Sequence, residues 1–305
     1  MKKLLFLFLF SVIFSMAYSQ QVPLYSQYML NEFLLNPGVT GSNDSYIPLR
    51  LTARRQWTGI KGAPFTQAVS AHDAIKRKTM GIGGYIFNDQ FGPISQTGVQ
   101  LSYAYQMKIK RGVKLGMGVA FKAFQMKLDE TNLIYIDEDD PMLTPGAVAS
   151  TMIPDADFGL YLHSKKYFVG LSIMQLIQYK IQFGDIDVNS DGSTIRHYYF
   201  NAGYKYAINK DLLVEPSILF KATAAAPMQA DLNAKLYYQH DYWLGLSYRT
   251  SKMAVVMFGI RKGQYLFGYS FDYTFSNLRP YAGGSHEIVL GYNFKKKGPT
   301  TAKLL

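Results

Sequence analysis

Oxygen-bearing side chains crowd one short stretch of this 305-residue chain, Asp187-Val-Asn189-Ser-Asp191-Gly192, with Asp185 just before it. Carboxylates and amides at alternate positions, then glycine, match the first half of a calcium loop. There, hard oxygen ligands surround a hard cation and glycine permits the sharp turn. The bidentate Glu that closes such a loop is missing, because Tyr198 stands in its place. Asp185, Asp187, Asn189 and Asp191 are therefore calcium candidates set against an ordinary Asp/Asn/Gly turn in a surface loop, and calorimetric titration separates the two readings. Asp137-Glu-Asp-Asp140 reads as a solvated loop.

Other chemistry finds little to work with. His72, His163, His197, His240 and His286 are scattered without the paired spacing of a zinc site. No nucleophile elbow or phosphate loop is present, nor a G-x-G-x-x-G between strand and helix. Cysteine is absent, which excludes disulfides, thiolate metal sites, a cysteine nucleophile and a lipidated N-terminal Cys. No enzyme activity and no cofactor are expected.

The elements come next. Lys2 and Lys3 precede the apolar run Leu4 to Met16 and the small-x-small site Ala17-Tyr18-Ser19, the pattern of a cleaved signal peptide over 1–19. No later run is long and apolar enough for a helical span, which needs about 20 residues. Membrane insertion must then use strands. The 24 Tyr, 20 Phe and 26 Gly beside 17% charged residues suit a membrane barrel with aromatic girdles.

A transmembrane strand of about 9–11 residues alternates lipid-facing apolar with lumen-facing polar side chains. Val99, Leu101, Tyr103, Tyr105 and Met107 alternate in this way with Gln100, Ser102, Ala104 and Gln106, and Val113 to Phe121 alternate with Lys114, Gly116, Gly118 and Ala120. The pattern predicts strands at 49–58, 65–75, 79–88, 95–109, 113–128, 155–163, 167–175, 195–207, 211–222, 229–239, 242–250, 253–261, 264–274 and 285–294. These make an all-β, transmembrane antiparallel up-and-down β-barrel of about 14 strands, an even number. Every second connection is short, including those at Lys110-Arg111-Gly112, Ser164-Lys165 and Lys262-Gly263. The others include long ones at 129–154, 176–194 and 275–284. Short turns suit the periplasm and long loops the exterior. The last strand, Ile288 to Phe294, ends on an aromatic residue as terminal strands of outer-membrane barrels do.

The net charge of +11 invites a nucleic-acid reading, but no reader motif is present. Instead Lys76, Arg77, Lys78, Lys110, Arg111, Lys165, Lys166, Arg261 and Lys262 gather at the predicted periplasmic ends. They either solvate strand ends against headgroups or form an electropositive rim that docks an acidic partner.

One set of motifs carries a resemblance. Tyr25, Gln27, Tyr28 and Asn31 lead to Asn36-Pro37-Gly38; Arg55-Gln56-Trp57, Gly62 and Pro64 follow, then Asn88-Asp89-Gln-Phe-Gly92. Together they resemble the PorP/SprF family of Bacteroidetes type IX secretion system membrane proteins. The resemblance implies an integral outer-membrane component that assists secretion or surface anchoring of sorting-domain cargo, including gliding adhesins. It also implies partnership with periplasmic parts of that machine.

Residues 20–48 form a periplasmic N-terminal segment before a barrel at 49–294 and a basic tail at 295–305. Tyr25, Tyr28, Met29, Phe33, Leu34 and Leu35 are costly to leave in water, so the segment either folds into the barrel mouth as a plug or covers it from below. Arg50, Arg54, Lys205, Glu215, Asp231, Lys235 and Arg249 are predicted lumen charges, which line a channel or fill it with ion pairs. A porin or small-solute transport barrel is accordingly the rival function.

Overall fold

Alternation decides which face of each strand meets lipid, and the computed structural model shows the result over residues 22–75, 78–131, 148–182, 193–224 and 226–296. In the strand Val113–Asp129, Val119 and Phe121 are 53% and 57% exposed on the outer face, while Ala120 and Lys122 beside them are buried. Leu101, Leu246 and Tyr265 are likewise exposed. A surface this apolar is stable against hydrocarbon and not against water.

The segments are β1 (Tyr46–Arg55), β2 (Phe65–Ile75), β3 (Met80–Phe91), β4 (Ile94–Lys110), β5 (Val113–Asp129), β6 (Val148–Ser164), β7 (Tyr167–Met174), β8 (His197–Tyr204), β9 (Tyr206–Ala207), β10 (Leu212–Thr223), β11 (Ala226–Tyr238), β12 (Tyr242–Arg249), β13 (Met253–Lys262), β14 (Tyr265–Thr274) and β15 (Ser285–Lys295). β8 and β9 both pair with β10 and are parts of one strand broken at Lys205, so fourteen strands result. Each pairs antiparallel with its sequence neighbour, and β15 pairs with β1 from Tyr46↔Lys295 to Arg55↔His286. The barrel is closed, and no sheet edge is left to face hydrocarbon. Among the described residues no helix is long and apolar enough to cross a membrane.

Several strand ends differ from the periodicity, two of them for a visible reason. The alternation places the sixth strand from 155, but β6 begins at Val148. Pro154 sits inside it opposite Ala123 of β5, while β7 pairs only with Phe158 to His163. At Pro154 no β7 residue needs a ladder hydrogen bond, so proline's missing N–H costs nothing there. The first strand, placed to 58, ends at Arg55 because Trp57 takes a left-handed φ of 47° and turns the chain out of the sheet.

Residues 22–45 cross the inside of this barrel with three short 3₁₀ turns: η1 (Tyr28–Leu30), η2 (Glu32–Leu34) and η3 (Pro37–Val39). Tyr25, Tyr28, Phe33, Leu34, Leu35 and Val39 form the core with inward residues such as Tyr85, Phe124, Ile153, Phe168 and Tyr199. Fully burying a side chain the size of Phe33 or Leu34 stabilises by about 1.5–3 kcal/mol.

Candidate functional site

The site is the lumen with its own N-terminal segment held inside. Arg54 is the anchor at one end: its Nη2 contacts Asp272 Oδ2 at 2.7 Å and its Nη1 donates to Ser26 Oγ at 2.7 Å. Ser26 Oγ donates to Asp272 at 2.6 Å. The Glu287 carboxylate accepts two successive backbone N–H groups, from Ser26 at 2.7 Å and Gln27 at 2.8 Å. Two buried carboxylates thus face one guanidinium, and the segment supplies the remaining donors. Without those donors the two anions would be under-compensated.

Farther along, Tyr28 Oη accepts from Asn233 at 2.6 Å, and Asn31 donates to Ser70 at 2.9 Å. Glu32 accepts from Tyr161 Oη at 2.5 Å and from Asn201 at 3.1 Å. Ser172 donates to the Leu35 carbonyl at 2.6 Å. Gln106 donates to the Gly38 and Thr40 carbonyls, and the Gly41 N–H donates to His72 Nδ1.

The Asn36-Pro37-Gly38 turn rests on a floor of glycines. Asn36 Oδ1 accepts from Gly38 N–H at 2.8 Å, and its Nδ2 donates to the carbonyls of Leu160 and Leu171. A Cβ on Gly116, Gly118 or Gly159 would collide with Gly38, Pro37 or Asn36 respectively, so only glycine lets the turn lie this close to β5 and β6. Gly81 makes room for Thr40 in the same way on β3.

The segment has a direction. Ser26 bonds beside the connection 275–284, whereas Asp44 pairs with Lys114 Nζ at 2.7 Å beside the tight turn Arg111-Gly112. The chain therefore enters the lumen at the end of the long connections and leaves at the end of the short turns, where β1 begins.

The other predicted lumen charges fill the interior with pairs. Lys235 Nζ lies 2.9 Å from Glu215, Lys205 lies 3.8 Å from the same carboxylate, and Arg249 grips both oxygens of Asp231. Arg50 donates to Asn293 Oδ1 at 2.9 Å.

The family-motif residues separate into two groups. Tyr25, Gln27, Tyr28, Asn31, Asn36 and Pro37 lie in the lumen. Arg55, Gln56, Trp57, Gly62 and Pro64 shape the β1–β2 connection, and Asn88, Asp89 and Gly92 the neighbouring β3–β4 turn. The two connections are tied by a hydrogen bond from Gly92 N–H to the Gly62 carbonyl at 2.7 Å, and Thr58 N–H bonds the Gly284 carbonyl at 2.8 Å.

At the opposite end the short turns bring Lys78, Lys110, Arg111, Lys165, Lys166, Arg261 and Lys262 to one rim. Lys262 pairs with exposed Asp241 at 3.3 Å, an interaction worth little in water. Two adjoining cavities of about 180 and 460 Å³ open at this rim and share Glu32, Tyr46, Tyr161, Phe168 and Lys205. Lys76, Arg77 and the calcium candidates Asp185, Asp187, Asn189 and Asp191 lie outside the described residues, as do 1–19 and most of the basic tail. Among the described residues no cluster of His, Asp or Glu is arranged to hold a metal.

Sequence reasoning missed Ser26, Glu32, Asp272 and Glu287. Their only signal is a polar residue in an apolar segment or at an inward position of an alternating strand.

Solved structures share the architecture. The CymD monoaromatic hydrocarbon channel superposes with a TM-score of 0.51 at 12% identity, covering 92% of this chain and 95% of that one. A TodX deltaS2S3 mutant, also a monoaromatic hydrocarbon channel, gives 0.51 at 10% identity over 87% of this chain and 94% of its own. Omp33 of Acinetobacter baumannii gives 0.46 at 8% identity over 83% and 99%. No curated protein matches the sequence. The type IX secretion system membrane protein PorP/SprF family matches residues 17–292, nearly the whole closed barrel together with its luminal segment, and the chain belongs to that family.

Proposed function

We propose that this outer-membrane component of the type IX secretion system works as a closed holder, assisting secretion or surface anchoring of sorting-domain cargo such as an adhesin. It is not itself the conduit. The observation that carries this reading is the luminal segment, pinned from Ser26 to Asp44 by hydrogen bonds and ion pairs to the barrel wall. A porin lumen is polar and filled with water, whereas this one holds the buried apolar side chains of its own N-terminal segment.

In this reading the short turns face the periplasm, where the lysine- and arginine-rich rim meets periplasmic parts of the machine. The tied connections carrying Trp57, Gly62 and Gly92 face the cargo. Residues 1–19 are removed as a signal peptide on export.

Conductance across planar bilayers tests the closed state. The intact protein should show no single-channel steps, and deletion of Gln21 to Asn36 should open them; well-resolved steps from the intact protein would favour the porin reading. Removing the protein from cells should abolish surface display of its cargo while leaving other outer-membrane proteins in place.

A further inference from the structure

Lys221 is a buried charge with no ion-pair partner among the described residues. It points inward from β10, is 6% exposed, and its Nζ has no hydrogen-bond partner. Asp231, which lines a cavity that Lys221 also borders, already has both oxygens bound by Arg249. A buried, uncompensated ammonium costs several kcal/mol.

Beside Lys221 a second cavity of about 390 Å³ opens at the end of the long connections, and two of its lining residues, Thr223 and Ser251, carry buried hydroxyls that have no partner. Lys252 stands at its margin in a left-handed conformation, φ 63°, which a lysine rarely adopts. The pairing of β10 with β11 is irregular between Lys221 and Thr223. Such irregularities re-aim side chains at barrel rims and next to sites. None of the described residues lining the cavity is acidic.

We infer that this cavity is an oxyanion site, which takes a phosphate or sulfate group as the side chains of Lys221, Thr223 and Ser251 turn from their buried positions to meet it, with Lys252 as a second cation. One ammonium and two hydroxyl donors around a concavity suit a tetrahedral oxyanion, whose oxygens accept several charge-assisted hydrogen bonds at once. The group arrives either as free phosphate or on the phosphorylated headgroup of a lipid.

The test uses the full chain purified in uncharged detergent. Inorganic phosphate is titrated at ionic strength matched with chloride, and the thermal unfolding midpoint is followed by loss of heat-modifiable gel mobility. A saturable rise is expected for the native protein. Lys221→Met should weaken the apparent affinity roughly tenfold or more, since a hydrogen bond to a charged group is lost, while Lys221→Arg should retain binding. Should Lys221→Met fail to fold, Thr223→Val/Ser251→Ala, which leaves the charge in place, should still weaken the response. A second arm replaces phosphate with mixed micelles of a phosphorylated lipid or its dephosphorylated form. Stabilisation by the phosphorylated micelles alone assigns the group to a lipid, and stabilisation by inorganic phosphate assigns a free ion. No response in either arm, or equal responses in native and variant proteins, overturns the site.

Discussion

At the scale of single residues, the lumen is a set of charges that balance only as a group. Arg54 shows the logic most clearly, since it holds Asp272 at 2.7 Å and lies 3.5 Å from Glu287. Arg54→Met would leave two carboxylates buried without their cation and should cost about 3–5 kcal/mol, the typical penalty for breaking a buried pair from one side. Denaturant unfolding in detergent measures it. Glu287→Gln should cost less, because its amide oxygen still accepts one of the two N–H groups from Ser26 and Gln27. Gly118→Ala tests packing in place of charge: its methyl group meets the Pro37 carbonyl, and overpacking of this kind costs about 1–3 kcal/mol. The displaced turn should then become cleavable near Val39 by added protease. Arg54 is legible in the sequence as an inward charge on an alternating strand. Its acidic partners are not, because they stand more than two hundred positions away and meet it only through the closure of β15 onto β1.

At the scale of elements, strands were the most legible part and the luminal segment the least. Period-two alternation shows in the sequence because each strand has one lipid face, and a one-residue slip would turn that whole face inward. Strand ends are less legible: Pro154 is a breaker in the abstract but harmless where one neighbour is missing, and Trp57 leaves its strand through a backbone angle that no side-chain pattern encodes. Residues 22–45 have no period at all, since 3₁₀ turns pressed on all sides need neither an amphipathic stripe nor alternation. The short turns are elements of another kind, exposed and basic. Lys110→Glu/Arg111→Glu/Lys165→Glu/Lys166→Glu should leave the protein folded, with each substitution changing stability by about 0.5 kcal/mol or less, as surface substitutions do. If the rim docks an acidic periplasmic partner, the same variant should bind it more weakly, with a flatter dependence on salt. Unchanged recovery of periplasmic partners in pull-downs would dismiss the docking role.

At the scale of the whole molecule, the direction of the luminal segment fixes at which mouths of the barrel Val22 and Lys296 lie. The segment passes from the long-connection end to the short-turn end, and only then does β1 begin its return through the wall. β15 also finishes at the short-turn end, where the tail's Lys296 binds Asp73 and the Ala74 carbonyl. Val22 and Lys296 therefore lie at opposite mouths of the barrel. The chain has no cysteine, so a single introduced thiol reports its own position without background. With the short turns in the periplasm, Val22→Cys should react with a membrane-impermeant maleimide on intact cells. Lys165→Cys should react only after the outer membrane is permeabilised. The reverse pattern would invert the barrel, and with it the assignment of the basic rim to the periplasm. Labelling of both positions only after permeabilisation would instead show that the long-connection mouth is covered, as a holder with its cargo in place would be, and washing off surface protein should then expose Val22→Cys alone.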